Sequence, residues 1–264
     1  MRRAFSGHAL PLDADGVDRA AALLGTGVAE LWAVIGVETT GCGFLPDRRP
    51  KILYERHVFS RYTRRRFDAR HPDLSGRQPG GYGAGGAAQY ERLARAMALD
   101  PRAALLATSW GMGQVMGFNA ETVGYASAED MVREMCASES AQVEAMARFI
   151  EASGLAGALR NHDWARFAAG YNGPNYRINN YDTRLAAELQ YLERGGLPDL
   201  TVRAAQMHLI YLGYDPRGVD GIMGRFTRSA MNDFQRERNL HVTEHVDEHT
   251  VAALREAVAR LAAG

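Results

Sequence analysis

The stretch Val34-Ile35-Gly36-Val37-Glu38-Thr39-Thr40-Gly41-Cys42-Gly43-Phe44 decides how this chain is read. An apolar run ends at a single carboxylic acid, and small hydroxyl residues and glycines follow. Upstream, Val17 to Val37 carries apolar residues at helical spacing, among them Leu24, Leu31, Val34 and Ile35. A helix with a break near Gly25–Gly27 is predicted there. Glu38 then stands at a helix end beside Val34, Ile35, Val37, Phe44 and Leu45. Gly36, Gly41 and Gly43 leave room for another molecule to approach the backbone. A carboxyl in such surroundings keeps its proton above the usual pH, because burial penalises the charged form. That is what a general acid needs. Taken alone, the residue also reads as a solvated helix-terminal glutamate or a structural ion pair.

Two later segments narrow the reading. Ser109-Trp110-Gly111-Met112-Gly113-Gln114-Val115-Met116 contains a Gly-x-x-Gln turn, and Ala169-Gly170-Tyr171-Asn172-Gly173 a Tyr-Asn-Gly turn. In this order the three segments resemble the lysozyme and lytic transglycosylase superfamily. Gly113 stands where that family usually has Met, and the last turn departs by one inserted and one deleted residue. The resemblance implies that Glu38 protonates a glycosidic oxygen. It implies that Gln114 and the backbone of 111–117 line a sugar cleft, that Tyr171 sits near the acid, and that Asn172 shapes its turn. Thr40, Ser109 and Met116 join Gln114, Tyr171 and Asn172 as expected substrate-binding positions. Trp110 suits either a sugar-stacking face or the core.

A closer resemblance is to the phage-type N-acetylmuramidase domain of modular endolysins. Its marks are Glu38-Thr-Thr-Gly-Cys-Gly-Phe44, Asp47-Arg-Arg-Pro-Lys-Ile-Leu-Tyr-Glu-Arg-His57, Pro79-Gly-Gly-Tyr-Gly83 and Tyr171-Asn-Gly-Pro174. They extend over residues 20–195. This resemblance singles out Glu55 as a second carboxylate. Such a group serves as base or as stabiliser of the oxocarbenium ion; a separation of roughly 6.5–9.5 Å implies inversion and roughly 5–5.5 Å retention. If Glu55 points away, the muramic 6-hydroxyl attacks instead and the enzyme is a lytic transglycosylase giving anhydro products. Glu55 reads equally as a salt-bridge partner of Arg56 or another arginine. His57 reads as a structural hydrogen-bonding residue.

Composition bounds the rest. The chain has 264 residues and a formal net charge of zero, so no global field draws it to nucleic acid or anionic lipid. Cys42 and Cys136 are its two cysteines, too few for a disulfide framework or a metal cluster. Neither has an obvious His partner, which counts against a Cys-dependent wall peptidase. No cofactor and no metal is expected. No apolar run of about twenty residues is present to span a bilayer. Asp13, Asp15 and Asp18 follow Met1-Arg2-Arg3 too soon for a signal-peptide core. The expectation is synthesis in the host cytoplasm, release by another protein, and action on the wall as a monomer. Arg61 to Arg70 holds five arginines and one aspartate; it reads as a solvated loop or as a contact for peptide-stem carboxylates.

Gly195-Gly196-Leu197-Pro198 is the predicted boundary, because glycine ends a helix and proline forbids its continuation. Residues 1–196 read as a mainly α, lysozyme-like catalytic domain. Helices are expected over 87–99, after Ser127, after Ser138 and closed by Gly154, and after Asp163 and Asp182. A hairpin or extended flap is expected within 51–82, where Ile52-Leu53-Tyr54 and His57-Val58-Phe59 favour strands. Residues 197–264 read as a three-helix bundle with helices from Thr201, Thr227 and Asp247 or Thr250. Leu212-Gly-Tyr214, Val219-Asp-Gly-Ile-Met-Gly224 and Phe234-Gln235 resemble the small peptidoglycan-binding domain. That resemblance implies a wall tether, which raises local substrate concentration. A wall-binding protein with a decayed site is the non-enzymatic alternative, and the intact set of Glu38, Gln114 and Tyr171 opposes it.

Overall fold

The computed structural model describes residues 4–39 and 41–263. Among them the chain is mainly helical, with thirteen α-helices and one small three-stranded sheet. Helix α1 (Ala14–Leu24) begins where Asp13 accepts the Gly16 amide, and ends at Gly25 in the left-handed region. Helix α2 (Val28–Glu38) follows after a 104° bend. Six of its residues are buried, Leu31 to Ile35 and Val37. They form one core with α7 (Glu139–Ala152), α8 (Ala156–Arg160), α9 (Trp164–Tyr171) and α10 (Tyr181–Gly195). The apolar surface of α1 and α2 is thus spent inside the protein. No single helix among the described residues is long and apolar enough to cross a membrane.

A second core surrounds the sheet and includes α3 (Arg56–Tyr62), α4 (Ala87–Met97), α5 (Pro101–Leu106) and α6 (Ala128–Ala137). Strand β1 (Ile52–Tyr54) pairs antiparallel with β2 (Thr108–Trp110), which forms a hairpin with β3 (Val115–Met116). The hairpin expected within 51–82 is therefore displaced: β1 finds its partner more than fifty residues away, with Ile52 opposite Trp110. His57-Val58-Phe59 is helical rather than extended. Val58 and Phe59 are both buried; a strand would send consecutive residues to opposite faces, whereas one face of a short helix buries both. Trp110 is wholly buried, so its place is the core.

Residues 200–263 contain α11 (Leu200–Tyr211), α12 (Arg225–Glu237) and α13 (Glu248–Ala263) around a separate core that includes Leu209, Met231, Phe234 and Leu254. Ser127, Ser138 and Asp163 cap α6, α7 and α9 as expected, but three other caps shift. Asn180, left-handed at φ 50°, precedes α10, and Asp182 lies in the first turn, where a negative charge suits the helix dipole. Asp199, not Thr201, caps α11, because its carboxylate reaches two amides at once, those of Thr201 and Val202. Thr227 is buried inside α12, where its hydroxyl accepts from Gln206 at 3.0 Å, and Gly224 precedes the helix.

The last helices do not hang from a flexible linker. Only residues 196–199 separate α10 from α11, and a third apolar cluster joins Ala9, Cys42 and Phe44 to Met207, Tyr211, Val219 and Val258. The Tyr211 hydroxyl donates to the Ala9 carbonyl at 3.1 Å. At the centre of this joint Arg203 of α11 forms a buried bidentate pair with Glu139 of α7.

Candidate active site

Glu38 is the last residue of α2, and the apolar residues before it keep the helix end inside the first core. The side chain is half-buried, yet its Oε1 is fully enclosed and has no hydrogen-bond partner. Burial pushes its pKa up to about 8. A hydrogen bond from the Asn172 side chain and the charge of Arg184 oppose that rise without cancelling it. Arg184 also donates to the Val37 carbonyl at 3.1 Å, so it holds the helix end that carries the acid. Thr39 closes α2, its hydroxyl donating to the Ile35 carbonyl at 2.9 Å. Thr40 lies outside the described residues.

Tyr171 ends α9 and stacks on Phe167, 5.5 Å between ring centres. Burial, and then the charge of Glu38, raise the pKa of its hydroxyl. That hydroxyl donates to the Gly113 carbonyl at 2.8 Å, which ties the acid's surroundings to the β2–β3 hairpin. Glu38, Tyr171, Asn172 and the Gly111–Gln114 turn are thus gathered in one place. A cavity of about 220 Å3 opens beside them, lined by Asn172, Tyr176, Tyr181 and Arg184 among others. A cavity of about 320 Å3 starts at Thr39 and runs between α10 and the Val219–Ile222 turn. The smaller one adjoins Glu38, because Asn172 in its wall hydrogen-bonds the carboxyl and the charge of Arg184 acts on it.

The hairpin turn is held from within. Gly111 and Gln114 both take positive φ, 70° and 47°. Gln114 accepts from the Ser109 hydroxyl at 2.8 Å and donates to the Gly111 carbonyl at 2.8 Å. Ser109 and Gln114 therefore brace the turn, and Met116, half-buried, packs against the second core. Gly113 has a packing reason: a Cβ there would lie 2.5 Å from the Met146 side chain.

Sequence reading missed the buttress behind this turn. Gln142 of α7 is wholly buried; it accepts from the Met112 amide at 2.9 Å and donates to the Met135 carbonyl at 2.8 Å. Replacing Gln142 with Leu strands both backbone groups, and each buried group left without a partner costs about 1–3 kcal/mol. The expected result is a fall in unfolding midpoint by calorimetry together with weaker wall lysis. An unchanged midpoint would show that the turn does not depend on this side chain.

Glu55 sits at the N-terminus of α3, where its backbone amide donates to the Ala107 carbonyl at 2.8 Å. Its carboxylate lies 3.1 Å from Nδ1 of His57 and takes a hydrogen bond from the Tyr82 hydroxyl. Arg56 turns away and donates to the Gln78 carbonyl. The residues described around Glu55 are thus distinct from those described around Glu38. In the Arg61–Arg70 segment, Arg66 pairs with Asp100 at 3.1 Å and Asp68 accepts from Ser60 and Ser75.

A mainly helical, lysozyme-like domain with a small sheet, holding a glutamate whose Oε1 is enclosed at the end of α2, fits a glycoside hydrolase that cleaves peptidoglycan. The sequence pattern of the N-acetylmuramidase family matches residues 27–193, and the chain belongs to that family. Residues 199–254 match a putative peptidoglycan binding domain, so peptidoglycan is its substrate and partner. A solved structure, that of the Burkholderia AP3 phage endolysin, is similar at 41% identity, with a TM-score of 0.65 and 74% of each chain covered. No curated protein matches the chain.

Proposed function

We propose that the chain cleaves the bond between N-acetylmuramic acid and N-acetylglucosamine, with Glu38 as general acid and Glu55 as the second carboxylate. Residues 1–196 form the catalytic domain and residues 197–264 the wall-binding domain of a monomer. Thr40, Ser109, Gln114, Met116, Tyr171 and Asn172 are the proposed positions along the sugar chain, with Ser109 and Gln114 acting through the turn they brace. The protein reaches the wall after release by another protein. The observation that carries the reading is the enclosed Oε1 of Glu38, which keeps its proton to about pH 8 beside Tyr171 and Asn172. A proton held that long is available to a leaving oxygen at neutral pH.

The separate settings of the two carboxylates support a second reading. Glu55 is engaged by His57 and Tyr82; if it stays there, the substrate's own 6-hydroxyl attacks, as in a lytic transglycosylase. Mass spectrometry of digested peptidoglycan decides. Reducing muramic ends support hydrolysis, anhydro ends support transglycosylation, and peptide-bond products would overturn both. The pH profile tests the acid separately. Glu38 is active when protonated, so kcat/KM should fall as pH rises through about 8. A fall complete by about pH 5, near the ordinary carboxylate range, removes Glu38 as the acid.

A further inference from the structure

The loop that follows the acid is gripped from both sides. From the catalytic side, Glu139 Oε1 accepts the Gly43 amide at 2.8 Å, and its Oε2 accepts the Leu12 amide at 3.0 Å. From the C-terminal helices, Arg203 donates to the Gly41 carbonyl at 2.7 Å while pairing with the same Glu139. The guanidinium also lies 5.6 Å from the ring centre of Trp32, which belongs to the acid's own helix. Gly41 has φ 95°, and a Cβ there would sit 3.1 Å from the Val219 amide nitrogen, so the C-terminal module rests on this glycine. Cys42 and Phe44 complete the contact by packing against Met207, Tyr211 and Val219.

We infer that the C-terminal module is a working part of the catalytic site, with Arg203 as a positioning residue for the loop after Glu38. The inference rests on Glu38 as the acid but goes beyond wall binding. Arg203 touches no reacting atom; it acts through Gly41 and Glu139. One planar guanidinium meets the Glu139 carboxylate, the Gly41 carbonyl and the face of Trp32. A lysine ammonium lacks the fork that makes the bidentate contact. The acid itself is faced by Tyr171 and Asn172 from the end of α9 and by Arg184 from α10. One turn further along α10, Glu188 lies over Gly36. With those neighbours unchanged, loosening the loop admits water to the carboxyl.

The test uses full-length protein and soluble glycan strands, so that wall retention does not enter the rate. For Arg203→Lys, kcat should fall about 10- to 100-fold, the size of effect expected from slight misplacement of a reacting group. KM should stay within about twofold, because sugar contacts are left in place. The alkaline limb of the pH profile should move to lower pH. Retention on intact sacculi, measured with Glu38→Gln added to block turnover, should not change. Tyr211→Phe is the contrast: it removes the hydroxyl bond to Ala9 and keeps the ring that packs against Cys42 and Phe44, so it should lower the melting temperature and keep kcat and pH profile. Should Arg203→Lys fail to fold, the pair Glu139→Gln with Arg203→Gln removes both charges together, with the same loss of kcat expected. A folded Arg203 variant with parental kcat and pH profile overturns the inference, as does an equal kcat loss in Tyr211→Phe. Full activity in Glu38→Gln alone would instead overturn the assignment of the acid.

Discussion

Glu38→Gln is expected to lower peptidoglycan cleavage by about 10²- to 10⁴-fold, the contribution of a positioned general acid. The amide keeps the shape of the side chain and has no proton of suitable acidity to give. The same substitution should also stabilise the fold at alkaline pH. The carboxyl titrates near 8 in the folded protein against an ordinary value of 4.5. Between those values the folded state holds a proton that the unfolded chain has released, so stability falls as pH rises through the window. The penalty is complete above about 8 and absent below about 4.5. Gln has no charge to bury. Calorimetry should therefore find the variant melting above the parent at about pH 9 and level with it at about pH 4. Loss of activity without that divergence would mean that the catalytic carboxyl is not enclosed.

The largest effect on folding is expected from Glu139→Ala. Glu139 is completely buried and Arg203 is 1% exposed. Removing the carboxylate leaves a guanidinium in the interior, together with the Leu12 and Gly43 amides that it had accepted. Breaking one side of a buried pair costs about 3–5 kcal/mol. At about 2–4 °C per kcal/mol for a chain of this size, the melting temperature should fall roughly 6–20 °C. A drop smaller than about 3 °C would mean that the pair is not what closes the joint.

The parts that could be read from the chain are those whose signal is local. Glu38 stands out through the apolar residues before it and Tyr171-Asn172 through its turn, whereas Gly41 and Gly43 make room for Val219 and Gln142 of this chain rather than for another molecule. Ser127, Ser138 and Asp163 show their caps because a cap is decided within three residues. The helix stop at Gly195 is legible for the same reason: α10 ends there. What escaped reading depends on distant partners. Nothing near Glu139 foretells Arg203, which is 64 residues away, or Leu12, which is 127 away. Gln142 looks like any polar helix residue until Met112 and Met135 close around it. Ile52–Tyr54 favours a strand by composition, but its partner was settled by the long-range ladder to Thr108–Trp110. Arg184, which faces the acid, has no motif at all.

The joint at Arg203 limits how freely the two halves can be exchanged. A chimera that keeps residues 1–196 and grafts on a foreign three-helix unit inherits an orphaned anion at Glu139, because the donated cation came from the half that was discarded. Grafts should succeed only when the incoming unit brings an arginine at the matching turn of its first helix, or when Glu139 is redesigned with it. An exchange at this joint thus has to move a lock and its key as one piece.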